Sequence, residues 1–550
     1  MQVVVGGEAA HGGQRHLASL PEQVPFALFG SAPNLSGAGG VAWYVYPVGG
    51  AVIEGNSFQG GTQYIRARGD YKAAEFDWAH FWQANNFDKA VVALEPGVDP
   101  FKVRSYSYVT SGGSTFINVR RIGAVIQSEI DNAQPGDTIK IAAGVYIEQP
   151  LITKNLTLAG AGSGTIIKAP ATLVSRFTTS AAQFPVLTVM NANATVRDLV
   201  IDGDGRGSSA NKFSGIGYYN AGGAIVNTEI KGVRDATFSG VQHGVALYAY
   251  LADGSTRNLA IRNNYIHDFQ KNAMAVNSGG SSVLTVQIVG NRIVGAGPTT
   301  VTAQNGIQVY RASGTLDGYI DSNYITGIAY DNTSASTKWA ATSILNWLAD
   351  VDVSNNVVTG AHVGIYNIDA QGAIANNRLD IVKVGVYAYG IIATGPPEAV
   401  PSPYEAPMAE AAAVAASEDN MVGAASATEM PVNASGNVVT FSGPDNSSTY
   451  GIEADAGYGA RSIRITANRN VVTGFEVGLE FYQCESSCTA ATFTGITANY
   501  NNLAGNTIGM RSNASYLTAN GEHNWRGDAS GPSTVGTGSG VQVSTYIDYD

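Results

Sequence analysis

The chain has 550 residues, a net charge of −12, 66 glycines and only 13% charged residues, which fits several domains or one long solenoid rich in turns. The negative charge argues against a nucleic-acid partner or an anionic membrane surface, because phosphate is held by clustered Lys and Arg and no basic run occurs. No apolar run approaches the roughly 20 residues needed to cross a bilayer, so no membrane insertion is predicted.

Residues 1–115 carry aromatic-rich pieces such as AWYVYPVGGAVIEG and lack the phrase that recurs later, so they are predicted to form a separate β-rich or mixed segment. The opening MQVVVGG is too short and uncharged for a signal peptide. Next, Val119, Ile122, Val125, Ile126 and Ile130 fall at helical spacing just before Pro135 and Gly136. One apolar face of this kind would cap the open end of a stack.

From residue 264 onward a phrase repeats: an Asn followed by a short apolar pair, as in NNYIHDF, SNYITGI, NNVVTGA and RNVVTGF. The Asn positions 264, 291, 323, 356, 377, 437, 470 and 502 are separated by 27, 32, 33, 21, 60, 33 and 32 residues, and 60 is about two coils with an insertion. Periods of this length mean a solenoid or an array. A second phrase follows each Asn, for example NGIQVY, VGIYNI and YGIEAD, so each repeat holds at least two β-branched, alternating strands with Gly between them. Such a unit cannot bury its own apolar face, whereas stacked copies about 4.8 Å apart share an interior. The prediction is an all-β chain, a parallel β-helix over residues 116–550. The repeated Asn would sit at one corner of every coil, bonding the next coil's turn and tolerating the left-handed region.

The stretch IQSEIDNAQPGDTIKIAAGVYIEQPLITKNLTLAGAGSGTIIKA, with its helix, Pro-Gly-Asp turn and first coils, resembles the opening of right-handed parallel β-helix proteins of the pectate-lyase-like superfamily. HNWRGDASGPS is similar to the closing Asn-Trp-Trp-Gly-x-x-x-Gly-Pro motif of many secreted or surface bacterial β-helix proteins, with Arg526 where the second Trp is usual. The resemblance implies an N-terminal capping helix, an extracellular or cell-surface location and further domains of a longer parent chain. Residues 395–436, rich in Pro, Ala and Glu, read as a mobile insertion between coils. Cys484 and Cys488 read as a loop-clipping disulfide or as two free thiols.

Period-two alternation turns Ile307 and Val309 inward and Gln308 and Tyr310 outward. Carried across the copies, one outward row holds Tyr219, Tyr248, Asn277, Tyr310, Trp347, Ile368, Tyr389, Asp455, Tyr482 and Asn513. Its neighbour holds Tyr366, Tyr387, Glu453, Glu480 and Arg511. Tyr248, Tyr310, Trp347, Tyr366, Tyr387, Tyr389 and Tyr482 are residue types that stack on sugar rings, or that pack under covering loops. Glu453 and Glu480 would lie on adjacent coils, about the roughly 5 to 5.5 Å of a retaining glycosidase pair, with Asp455 as a third carboxylate; the alternative is an acidic ladder balanced by Arg511.

Two functions therefore stand open. One is a secreted or surface module, structural and adhesin-like, contacting a polysaccharide or cell-surface glycan. The other is a carbohydrate-active enzyme, a glycoside hydrolase before a polysaccharide lyase, acting through Glu453, Asp455 and Glu480. A lyase would need a base, for which Lys338 is a candidate, and calcium is the one cofactor admitted, at Asp202 and Asp204 of IDGDGRG if that stretch is not simply a turn. The scattered His residues, His243, His267, His362 and His523 among them, support neither a metal site nor a Ser-His-Asp triad, and Arg526-Gly527-Asp528 reads as a turn rather than an adhesion tripeptide.

Overall fold

The computed structural model describes residues 126–133, 135–141, 143–209, 212–334, 340–395, 429–456, 462–483 and 492–528, together with short strands nearer the two termini for which the backbone alone is described. It divides into two compact units, Met1–Pro170 with Ala192–Ile201, and Ala171–Asn191 with Asp202–Asp550. Cys484, Cys488 and Lys338 lie outside the described residues, as do 396–428.

In the first unit a helix spans Ile126–Asn132, and Ile126 and Ile130 are 2% and 1% exposed; Val119, Ile122 and Val125 of the expected capping face lie outside the described residues. The carboxylate of Glu148 accepts from the N–H groups of Ile126 at 2.8 Å and Gln127 at 3.2 Å, which satisfies donors that a helix start leaves open. Gln127 then uses its own side-chain amide as a piece of strand: it donates to the carbonyl of Leu151 at 3.0 Å and accepts from the Leu151 N–H at 2.6 Å. Behind it, Thr138–Lys140, Thr157–Ala159 and Asn193–Arg197 pair in parallel and in register.

The second unit is a right-handed parallel β-helix. One complete coil shows the rule: strand Asp350–Ser354, a corner at 355–356, strand Val357–Ala361, His362 at the next corner, and strand Val363–Ile368. Each strand pairs in parallel with its counterpart one coil on, giving three stacked sheets. Alternation sends Val351, Val353, Val358 and Ile365 inward, all with no exposed surface. Burial of each such side chain is worth about 1.5–3 kcal/mol.

The corner Asn forms a continuous ladder. Asn323 donates from its backbone N–H at 3.0 Å and from Nδ2 at 2.9 Å to Oδ1 of Asn356, and its second Nδ2 hydrogen goes to the carbonyl of Ile288 on the preceding coil, at 2.9 Å. The pattern repeats from Asn264 through Asn291, Asn377, Asn437 and Asn470. It then runs to Asn501 and Asn524, so Asn501, not Asn502, is the rung in NNLAGNT. The left-handed residue is also not the ladder Asn itself but the one before it: Asn263, Ser322, Asn355, Asn376 and Arg469 all have φ near 57°. The geometry separates two jobs: the left-handed residue turns the chain, which leaves the Asn side chain free to point inward along the stack.

The third sheet carries a regular irregularity. Val363 pairs with Tyr389 and Ile365 with Ile391, while Gly364 and Gly390 between them are skipped. Gly215, Ala246, Ala273, Gly306, Ser343 and Gly364 occupy that column, none larger than Ser, because a side chain there turns toward the next coil; at Gly364 even a Cβ would lie 2.5 Å from the carbonyl of Gly390. The insertion is shorter than its composition implied: Glu429–Ser435 is a first-sheet strand in register with Ser462–Asn468, and Gly436 is the left-handed residue before rung Asn437.

Candidate functional site

The outer face of the third sheet carries the side chains from which a site can be built, in two true rows. One runs Tyr219, Tyr250, Asn277, Tyr310, Trp347, Ile368, Thr394, Asp455 and Tyr482. Tyr250 replaces the expected Tyr248, because VALYAY aligns letter for letter with NAMAVN and NGIQVY and so places Tyr250 in the row of Asn277 and Tyr310, and Thr394 replaces Tyr389. The other row runs Tyr248, Ala275, Gln308, Leu345, Tyr366, Ile392, Glu453, Glu480 and Arg511, so Ile392 stands where Tyr387 was expected. The cause is a near-duplicate in the sequence: VGVYAY and YGIIAT both fit the phrase, and the strand that pairs is Ala388–Thr394.

Most of these rings pack on one another. Tyr310 and Trp347 lie 4.4 Å apart, Tyr389 and Tyr450 are stacked at 5.1 Å, and Tyr387 sits 5.5 Å from Tyr389. Tyr248, Tyr310, Trp347, Tyr387 and Tyr389 are buried, Tyr366 is half-buried, and Tyr482 is 39% exposed.

At the Tyr248 end the face opens into a cleft of about 80 Å³, walled by Tyr248, Tyr250 and Tyr310 and floored by Lys271, Gln308 and Asn277. Three polar atoms on residues lining it are buried without a hydrogen-bond partner: Ser214 Oγ, His243 Nδ1 and Asn277 Oδ1. An unpaired buried polar atom costs about 1–3 kcal/mol. Lys271 is 4% exposed; its Nζ donates to the carbonyl of Ala303 at 2.6 Å, and burial pushes its ammonium down to about 7. His243 Nε2 stands 2.9 Å from Oδ1 of Asp235, whose other oxygen accepts from Ser239. Burial lowers the His243 pKa, Asp235 works against that, and the charge of Lys212 adds to it. Gln270 holds the loop in place, its carbonyl oxygen accepting from the Asp235 N–H and its amide donating to the Val241 carbonyl.

Sequence reasoning passed over Lys271, Tyr250 and the Asp235–His243 pair. The available signal was position: Lys271 immediately precedes a third-sheet strand, and His243 lies two residues before the strand one coil earlier. A spacing of 28 residues looks like scatter until one coil is known to be about that long.

At the other end Glu453, Glu480 and Arg511 align on three successive coils. Arg511 Nε donates to Glu480 Oε2 at 2.6 Å, so the cation anticipated as the balancing charge takes one carboxylate oxygen. Burial, with Asp455 and Glu480 adding, holds Glu453 well above the usual carboxylate range; burial pushes Glu480 up to about 7 against the pull of Arg511. Both groups therefore bind protons more tightly folded than unfolded; the stability they contribute is present below about 4.5 and is lost as pH rises, for Glu480 through about 7. Glu453→Gln is expected to flatten that fall, read as urea midpoints at pH 5 and pH 8; an unchanged difference between the two would count against a protonated Glu453.

Elsewhere, Asp202 Oδ1 accepts from the N–H of Asp204 at 2.8 Å and Asp204 pairs with Arg206 at 2.8 Å, the geometry of a turn. Arg526 is 6% exposed and donates to the carbonyls of Gly521 and Asn524, so the Arg-Gly-Asp tripeptide is folded back on its own chain.

The class is thus a parallel β-helix with an aromatic-lined cleft, holding a few buried polar groups, on its third sheet. No family profile, no curated protein and no solved structure matches the chain.

Proposed function

We propose that the chain is an extracellular or surface-displayed, adhesin-like β-helix module, part of a longer protein, that binds a glycan on the outer face of its third sheet. The observation that carries this reading is the cleft at Tyr248, Tyr250 and Tyr310. Its walls are aromatic and its buried orphan atoms include two acceptors, Asn277 Oδ1 and the Nδ1 of a neutral His243. A ligand that satisfies acceptors while lying against rings must bring hydroxyl donors on a partly apolar body, which is what a sugar offers. Along the rest of the face half-buried Tyr366 and exposed Tyr482 offer further ring surface to a bound chain.

A glycan-array screen of the full chain tests this beside a reducing-sugar release assay on the same polysaccharides. Tyr310→Ala and Tyr250→Ala are each expected to weaken glycan binding about tenfold, as the loss of one stacking and packing contact would. Binding that is indifferent to both substitutions would remove the cleft from the account. The hydrolase alternative keeps one supporting observation, a carboxyl held protonated beside Glu480, as a general acid requires. Sugar release that disappears in Glu480→Gln would favour it; the pairing with Arg511 argues the other way.

A further inference from the structure

The cleft has more chemistry than binding a hydroxylated ligand requires. Lys212, His243 and Lys271 converge on it from three successive coils, while none of its lining residues is Asp or Glu. The carboxylate of Asp235 stands beside His243, its Oδ1 2.9 Å from Nε2. The 2.9 Å contact is an ion-pair distance rather than a well-angled hydrogen bond, and the carboxylate's charge favours the tautomer with Nε2 protonated toward it, which leaves Nδ1 without a partner. It is the base-and-orienter geometry of general-base catalysis.

We propose that the cleft is also catalytic, with His243 as a general base positioned by Asp235 and Lys271 as the donor to an oxyanion, hydrolysing an ester carried by the bound saccharide. The proposal rests on the glycan reading above for its substrate. A glycosidic bond is the wrong target for this set, because its hydrolysis uses two carboxyl groups flanking the bond and the lining has none. Ester hydrolysis asks only for a base, a donor and water.

The step balances without a further reagent. As His243 Nδ1 takes a proton from water, the water oxygen bonds to the acyl carbon and the carbonyl π pair moves onto oxygen. Lys271, one of whose hydrogens is held by the Ala303 carbonyl, donates another to that oxyanion. Collapse re-forms the carbonyl and breaks the bond to the sugar oxygen, which leaves with the proton from His243. The products are a carboxylic acid and a free sugar hydroxyl.

The charged and titratable groups facing His243 are Asp235, Lys212 and Lys271, with Tyr248 and Tyr250 in the walls. Burial keeps the imidazole below its ordinary 6.5, so the base is free at neutral pH. Activity should therefore rise with pH through a midpoint below 6.5 and fall again as Lys271 loses its proton at about 7.

The test measures carboxylate release by the full chain from a panel of O-acetylated polysaccharides, with 4-nitrophenyl acetate as a second substrate. His243→Ala is expected to lower the rate about 100-fold, with part of it restored by added imidazole. Asp235→Asn should lower kcat more than KM and move the acid limb to lower pH, since Asp235 is what raises the His243 value. Restoration by imidazole separates a lost base from a lost fold, and Lys271→Met gives a second variant with the dyad intact, expected to lose about tenfold or more. Equal rates in the wild-type chain and His243→Ala overturn the proposal. So does a product carrying the ultraviolet absorbance of an unsaturated sugar without carboxylate release. Glycan binding with no carboxylate release overturns the catalytic proposal alone, whereas loss of both overturns the glycan reading as well.

Discussion

Asn356→Ala is expected to lower the stability of the central coils by about 3–5 kcal/mol, as much as removing a large buried apolar side chain. The reason is that one amide serves four bonds. Its Oδ1 accepts from the backbone and Nδ2 of Asn323, and its Nδ2 donates to the carbonyl of Ile320 and to Oδ1 of Asn377. Truncation leaves the Asn323 N–H without that acceptor and removes one bond from each of three further groups, at sites with about 1% exposure or less. Water cannot replace what is lost in a closed interior. Because each coil touches only its neighbours, the damage should stay local. Hydrogen exchange ought to speed up at the coils of Asn323, Asn356 and Asn377 and stay slow at that of Asn470. A loss under 1 kcal/mol, or exchange that rises evenly along the stack, would show that the ladder is not what fixes the corners.

Gly451→Ala should be nearly as damaging, at about 3 kcal/mol, although it adds one methyl group. That Cβ would lie 2.1 Å from Val472 Cγ1 and 2.6 Å from the carbonyl of Gly478. Val472 is wholly buried, and the Gly478 carbonyl belongs to the backbone of the next coil, so neither can withdraw without moving a strand. Gly360 supplies the control for crowding. It has φ of 61° but nothing within 4 Å of an added Cβ, so its alanine variant should show backbone strain alone, about 1 kcal/mol. Urea unfolding of both variants checks the order; Gly451→Ala melting with the wild-type chain would mean that the third-sheet bend has room that the geometry does not show.

These two substitutions also mark what could be read in advance. The Asn of NNVVTGA and the Gly of YGIEAD were both conspicuous as repeated letters, and the repeat length made a stack the natural outcome. Which neighbour of each letter performs which task was not legible. Asn501 and Asn502 are equivalent as letters, and only the hydrogen bond to Asn524 selects the first. Likewise Tyr248 and Tyr250 alternate identically, and only the pairing of Tyr250 with Asn277, which itself pairs with Tyr310, decides which of them shares that row.

The site shows the same division. Glu453 and Glu480 could be matched from the sequence because their flanking phrases, YGIEAD and VGLEFY, align without a gap. Arg511 followed in the same way, and the three do line up. Asp235, His243 and Lys271 could not, because Asp235 lies in a loop with no repeated phrase, and His243 and Lys271 stand just outside the phrases that begin at Val245 and Asn272.

By itself the sequence determined the class of fold, its corner residue and the inward or outward sense of most strand positions, since these follow from periodicities of two and of about thirty that any stacked chain must obey. Tertiary structure alone decided the register of individual rungs, the burial of the aromatic rows and the meeting of Lys271 with the Asp235–His243 pair. Those outcomes depend on corner loops of unequal length, and loop length shifts a neighbour by whole residues without altering the pattern that predicts the coil.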